Sequence, residues 1–268
     1  MDLNSTSGFC LAICYLLRVT PGDGYVHFGM KCSSLCSMNM GTSGRSACAS
    51  TGRESCPSVV YTNQLLERTT LLVLLCTCLG LVWTVEQPAG SVLEFYPAWR
   101  WLVARMCDVI GPYAVSKTSF WMAHYMSQTP KRHWMYSNSC VVGRLNKGSL
   151  SVKKIPGRKP ITVRRYKGKD GRTKYQGTKA LQGTERYPVA FAREMLRLLS
   201  DLKKHRAILP PLPGNLPSGQ EMLGSLPSDF GRDEFSCAAV SKVYNYLRGG
   251  KNLNIPSSWR AVLPPGFL

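Results

Sequence analysis

Acidic side chains are scarce in this sequence. Only 15 Asp and Glu stand against 34 Lys and Arg in 268 residues, a formal net charge of +19. Histidine is scarcer still, with four residues. Only His27 precedes His124, so Cys10-x3-Cys14 and Cys32-x3-Cys36 lack the second Cys/His knuckle that a structural zinc site needs. The 11 cysteines, about 4% of the chain, are too few for a small disulfide-held scaffold. Their odd number, with Cys76 and Cys78 inside an apolar run, points to reduced thiols in an intracellular protein, nuclear or cytoplasmic. A signal peptide is not supported. The apolar stretch Gly8–Leu17 follows Asp2 instead of a basic segment and is followed by Arg18 and Pro21 instead of small residues. No internal repeat is present, and a hydrophobic fraction of 44% excludes collagen-like and simply disordered chains. It fits one domain with appendages.

What is abundant is positive charge, and it is local. Residues 131–206 contain 21 of the Lys and Arg against four acidic residues, while the segments before and after are close to neutral. A surface for a polyanion follows from that concentration. One uncharged run, Thr69–Val85, reaches the short limit for crossing a bilayer. A buried helix running into a buried strand has the same apolar count, so a single-span membrane protein stays open as an alternative.

Periodicity and turn chemistry predict a helix over Gly8–Arg18, a strand over Gly24–Met30, and a long loop rich in Ser, Gly and Cys over Lys31–Arg53. A helix over Ser58–Cys78 follows, stopped by Gly80 before a strand over Leu81–Val85. Ser91–Ile110 reads as helix interrupted near Pro97. Two strands, Ser116–Tyr125 and Arg132–Tyr136, come next. Ile161–Lys167 and Arg172–Thr178 flank Gly168-Lys169-Asp170-Gly171, a hairpin signal. Pro188 opens a helix to about Arg206, whose Met195, Leu196 and Leu199 are expected to face the sheet. Pro and Gly then mark a linker, followed by a short helix and a Pro-rich tail. This alternation predicts an α/β sheet domain.

Two residues at strand ends suggest chemistry, since α/β sheets keep their sites there. Cys32 follows the first strand in KCSSLCSMN, and Glu86 follows the second in WTVEQPAGS. A thiolate can add to an electron-poor ring while a carboxyl group hydrogen-bonds a ring nitrogen. An ordinary loop thiol and a surface carboxylate would read the same way.

The order KCSSLCS, helix, VEQP, then a strand pair containing SQTPKRHWMYSNS resembles the DNA cytosine-5 methyltransferases. The nearest forms are the divergent phage-type enzymes and their uncharacterised dinoflagellate relatives. The resemblance covers about Gly8 to Leu199. It implies Cys32, at the place of the family's Pro-Cys, as nucleophile, and Glu86-Gln87-Pro88 in place of Glu-Asn-Pro as the segment that holds the cytosine. It also implies Lys131 and Arg132 as the basic residues between the family's sixth and seventh strands, and Tyr187-Pro188 as its late Pro-containing element. Lys31 replaces the proline before the nucleophile, and Gln87 replaces the Asn.

The resemblance further implies a partial Rossmann-like, class I methyltransferase-like sheet. It covers the half after the S-adenosylmethionine site, because only 31 residues precede Cys32. The expectation is a fragment, degenerate copy or inaccurate gene product that binds no cofactor by itself. S-adenosylmethionine would enter only with an upstream half or a partner polypeptide that completes the sheet. Residues 1–143 would form the methyltransferase-like half and 144–183 the basic β-hairpin region, at the place of the family's target-recognition element. Residues 184–206 would form the returning helix, 207–234 the linker, and 235–268 the short helix and tail. Arg164, Arg165, Lys167, Lys169, Arg172 and Lys174, interleaved with Tyr166 and Tyr175, are the expected nucleic-acid contacts, DNA before RNA. A solvated basic hairpin, or a nuclear-import signal in KKIPGRKP, is the plainer reading. A non-catalytic nucleic-acid-binding or scaffold protein on a methyltransferase-like remnant is the alternative function.

Overall fold

A computed structural model describes residues 2–32, 34–150, 162–171, 173–178, 181, 184 and 186–211. The predicted linker, short helix and tail lie outside them almost entirely, as does Arg172. The chain divides into two compact units, Val19–Leu209 and one to which Met1–Arg18 belongs. The latter contains helix α1 (Thr6–Arg18), where the Ser5 hydroxyl accepts the Gly8 amide at 3.0 Å.

The larger unit is mixed α/β. Its elements are β1 (Tyr25–Gly29), α2 (Met40–Ser43), α3 (Pro57–Cys78), β2 (Val82–Pro88), α4 (Pro97–Ile110), β3 (Ser116–Trp121), β4 (Arg132–Ser137), β5 (Val163–Lys167), β6 (Thr173–Gly177) and α5 (Val189–Lys204). Strands β1–β4 form one sheet in the order β1-β2-β4-β3. β1 and β2 are parallel, and β4 runs antiparallel to both β2 and β3. β5 and β6 form a separate two-stranded ribbon.

The apolar run Thr69–Val85 is divided between two elements. Its first part ends α3, Gly80 turns the chain in left-handed backbone at φ 65°, and the remainder enters β2. A side chain with Cβ resists that conformation. Among the described residues no helix is long and apolar enough to cross a membrane. The apolar length of this run is therefore that of a helix and a strand both buried in one core.

β2 is buried along its whole length, as expected for an inner strand covered on both faces. Strand alternation sends Trp83 toward α3 and α4, where it meets Trp99 edge-on and donates its indole N–H to Thr77 Oγ1 at 2.9 Å. The opposite face packs Val82, Phe120 and Met135 against α5. Phe120 and Phe191 stack there with centroids 5.5 Å apart. The buried stripe of α5 is Phe191, Met195, Leu198 and Leu202, at the spacing of one helix face. Leu196 is 70% exposed and Leu199 only partly covered, so of the three residues expected to face the sheet only Met195 is buried. At the end of β4, Asn138 accepts the Trp83 amide and donates to the Leu81 carbonyl, which pins the strand against β2.

Candidate active site

β1, β2 and β3 run the same way, so their carboxyl ends and the amino end of β4 share one edge of the sheet. Met30–Cys36 leaves that edge from β1, Glu86–Pro88 reaches it on β2, and Lys131–His133 enters it on β4. Glu86 lies inside β2, paired with Gly29 and Met135, and not after the strand as the sequence suggests. Pro88 still pairs with His133 at the strand's last position, which is why the ladder continues past Val85.

Register decides which side chains meet. Glu86 and His133 point to the same sheet face on neighbouring strands, and the His133 Nδ1 nitrogen hydrogen-bonds Glu86 Oε1. The Tyr187 hydroxyl, just before α5, donates to Glu86 Oε2 at 2.7 Å. Tyr187 also meets His27 Nε2 at 3.2 Å, and His27 Nδ1 meets Thr84 Oγ1 at 2.9 Å. Tyr25 closes the chain on Thr84 at 2.8 Å. A polar row thus crosses one sheet face from Tyr25 to His133, and Glu86, only 6% exposed, lies within it. A Cβ at Gly29 would come within 2.6 Å of the Tyr187 hydroxyl oxygen, so the bare position 29 leaves this hydroxyl its place on Glu86.

Burial pushes the Glu86 carboxyl up. The His133 bond and charge, the Tyr187 donor and His27 outweigh burial and hold the carboxyl below its usual range. Burial likewise lowers His27, against the pull of Glu86. Desolvation of its hydroxyl end and the adjacent Glu86 charge push Tyr187, whose ring is otherwise partly exposed, well above the ordinary phenol. Glu86 is therefore an ionised acceptor whose two oxygens each already receive a hydrogen bond.

Cys32 stands just beyond β1, half-covered. A hydrogen bond from the Cys36 thiol lowers it most, burial opposes that, and Lys131 lowers it further, so it titrates at about 7 despite the neighbouring Glu86. Cys36 itself is raised, since it is the donor of that bond. The backbone places the pair one turn apart, with the Cys36 amide donating to the Cys32 carbonyl at 3.3 Å. A thiol half ionised near neutrality is a competent nucleophile.

The loop bearing Cys32 is strapped from two sides. Gln87 donates to the Met30 carbonyl at 3.3 Å and accepts the Ser91 hydroxyl at 3.0 Å, while the Val92 amide reaches the Leu35 carbonyl at 3.0 Å. From the other side the buried Arg45 donates to Ser34 at 3.2 Å, to Ser50 and Val59 carbonyls, and to Asn63 of α3. Gln87 thus holds the loop that carries Cys32.

Of the residues singled out in the sequence, Glu86 and Lys131 both lie close enough to Cys32 to act on its charge. Arg132, one position on, lies across the strand from His133, on the opposite face of the sheet. Arg164, Arg165, Lys167, Lys169 and Lys174 belong to the ribbon, where they are exposed. The Gly171 amide closes its turn on the Gly168 carbonyl at 2.9 Å. Pairing sets Arg165 opposite Tyr175 and Tyr166 opposite Lys174, so both ribbon faces present a cation beside a tyrosine. Sequence reasoning missed His133, His27 and Cys36. His133 alternates with the exposed Arg132 along β4, a signal that it faces inward, but its partner is 47 positions away.

The turns at the ends of β1 and β2 do not fit S-adenosylmethionine. Met30–Cys36 contains no glycine and Ala89–Val92 only Gly90, whereas that cofactor needs a Gly-rich loop at a strand end. Among the described residues no cluster of three His, Cys, Asp or Glu could hold a metal ion. Neither a family model, nor a curated protein, nor a solved structure matches this chain.

Proposed function

We propose that this chain is a cytosine-5 methyltransferase-like domain that binds nucleic acid, with Cys32 as its nucleophile and Glu86 as the carboxylate that holds the cytosine. The observation that carries this reading is the convergence of an acidic thiol, a buried ionised carboxylate and Lys131 at one end of the sheet. The strands matched to the family's fourth to seventh fall in the order fourth, fifth, seventh, sixth with the seventh reversed. That order supports the second half of a class I methyltransferase sheet. The exposed basic ribbon supports DNA as the polyanion, through phosphate neutralisation with tyrosines available to bases.

In chemical terms, the Cys32 thiolate adds to C6 of a cytosine and the C5–C6 π pair shifts through C4 onto N3, which takes a proton from water and returns it when the thiolate leaves. Glu86 accepts hydrogen bonds from the N–H groups on the ring's Watson–Crick edge. C5 then takes a proton from water, loses the original one, and the thiolate leaves. The 5-hydrogen is exchanged with nothing consumed. Methyl transfer needs an S-adenosylmethionine site that the described residues do not supply, so no such step is assigned to them.

The test follows tritium release from DNA labelled at cytosine C5, together with filter binding across a salt series. Exchange that disappears in Cys32→Ser, with binding retained, is the expected result. Salt-insensitive binding would remove the phosphate argument, and exchange unchanged in Cys32→Ser would remove the nucleophile. A second reading, a non-catalytic nucleic-acid-binding protein, is favoured by the saturation of Glu86 by His133 and Tyr187. It expects salt-dependent binding with no exchange.

A further inference from the structure

On the sheet face opposite Glu86, β3 and β4 border an open pocket of about 620 Å³. Its walls include Lys117 and Ser119 of β3, Arg132 and Trp134 of β4, and the turn at Ala89 and Gly90 after β2. That volume falls in the range of small-ligand sites and suits a nucleotide. Ala89 and Gly90 add almost no side chain, so the wall they form is backbone.

Each cation already has partners beside the pocket. Arg132 donates to the Ser119 hydroxyl at 2.8 Å, lies over the Trp121 ring at 5.5 Å, and has no carboxylate partner among the described residues. The Lys117 ammonium sits 3.7 Å above the Trp134 ring centroid and pairs with Glu94. Aromatic faces hold cations without neutralising them. The pocket therefore offers two positioned positive charges and one removable counter-charge. Two pre-set donors beside a hydroxyl suit a phosphate, with Arg132 able to engage two oxygens at once.

Its place relates it to the candidate site. His133 faces Glu86 while its neighbours Arg132 and Trp134 face the pocket, so the two lie on opposite faces of one strand end. A single strand passing over this end of the sheet would meet both faces.

We propose that this pocket binds a phosphate of single-stranded DNA at the end of the sheet from which the Cys32 loop leaves. This rests on the nucleic-acid reading above and adds Lys117, Ser119 and Trp134 to it. Arg132 and Lys117 hold the phosphate, Trp134 positions Lys117, and Glu94 competes with the phosphate for that ammonium.

The test is anisotropy of a fluorescein-labelled 12-nucleotide DNA strand, titrated with the full chain at several salt concentrations. Lys117→Ala and Arg132→Ala should each weaken binding about tenfold at low salt and each reduce the slope of log affinity against log salt by about one. Glu94→Gln should tighten binding about threefold by freeing Lys117, a gain that misfolding cannot produce. A ribo strand of the same sequence should lose as much in each variant, because neither contact reads the sugar. Pocket variants that bind as wild type, while Arg164→Ala/Arg165→Ala in the ribbon weakens binding, would overturn the pocket and leave the nucleic-acid reading intact. Wild-type protein that fails to bind at any salt would overturn both.

Discussion

Tyr187 donates its phenolic hydrogen to Glu86 at 2.7 Å across 101 positions of sequence, and in doing so ties the entry of α5 to the centre of the sheet. With His133 on the other carboxylate oxygen, a buried charge is held by two protein donors and, among the described residues, no Lys or Arg. Such an arrangement is sensitive to the loss of either donor, because an uncompensated buried carboxylate is costly.

Removing His133 should therefore destabilise the domain strongly. His133→Ala is expected to cost about 3 kcal/mol or more, and Tyr187→Phe about 1–3 kcal/mol, in urea unfolding. Adding Glu86→Gln to His133→Ala should recover part of the loss, since the stranded charge is gone. A strictly additive double variant would show that the two side chains do not act as a pair.

Cys32 should react with iodoacetamide along a pH profile centred at about 7, read by mass spectrometry of the modified peptide. Cys36→Ala should move the midpoint upward by removing the thiol donor, and Lys131→Ala should move it upward by a smaller amount. An unchanged midpoint in Cys36→Ala would place the activation elsewhere.

Stability should fall on the acid side. His27 is held below its ordinary value, so the unfolded chain takes up a proton that the folded chain resists as pH drops below about 6.5. Glu86 is also depressed, and its contribution is present above the unfolded value of about 4.5 and lost as pH falls through the folded one. The urea midpoint is expected to decline from pH 7 to pH 4, and His27→Gln should flatten the upper part of that decline.

The orientation of α5 has a simple check. Phe191→Ala and Leu198→Ala should each cost about 2–5 kcal/mol, as both are buried against the sheet. Leu196→Ala should stay within about 0.5 kcal/mol of wild type.

Most of the elements were legible in the sequence because their signals are local. Pro57 and Gly80 bracket α3, β-branched and aromatic residues mark β1 and β2, and the Gly-Lys-Asp-Gly turn marks the ribbon. Two misreadings have physical causes. Glu86 was set outside its strand because a charge and a proline usually end one, whereas here donors from β4 and from Tyr187 stabilise the charge inside the sheet. The α5 stripe was misassigned because Leu196 and Leu199 are as apolar as Leu198, and only the packing of Phe191 on Phe120 decides the rotation. Cys32 and Glu86 could be singled out one at a time, but the row that joins Tyr25, His27, Tyr187, Glu86 and His133 depends on strand register, which no local pattern encodes.

Gly29 gives the site a hereditary signature. Because a single methyl group at that position would strike the Tyr187 hydroxyl, the two positions cannot drift independently. A lineage that acquires alanine or serine there must move the tyrosine hydroxyl away from its place on Glu86 or shift the start of α5. Two alignment columns 158 positions apart should therefore vary as one.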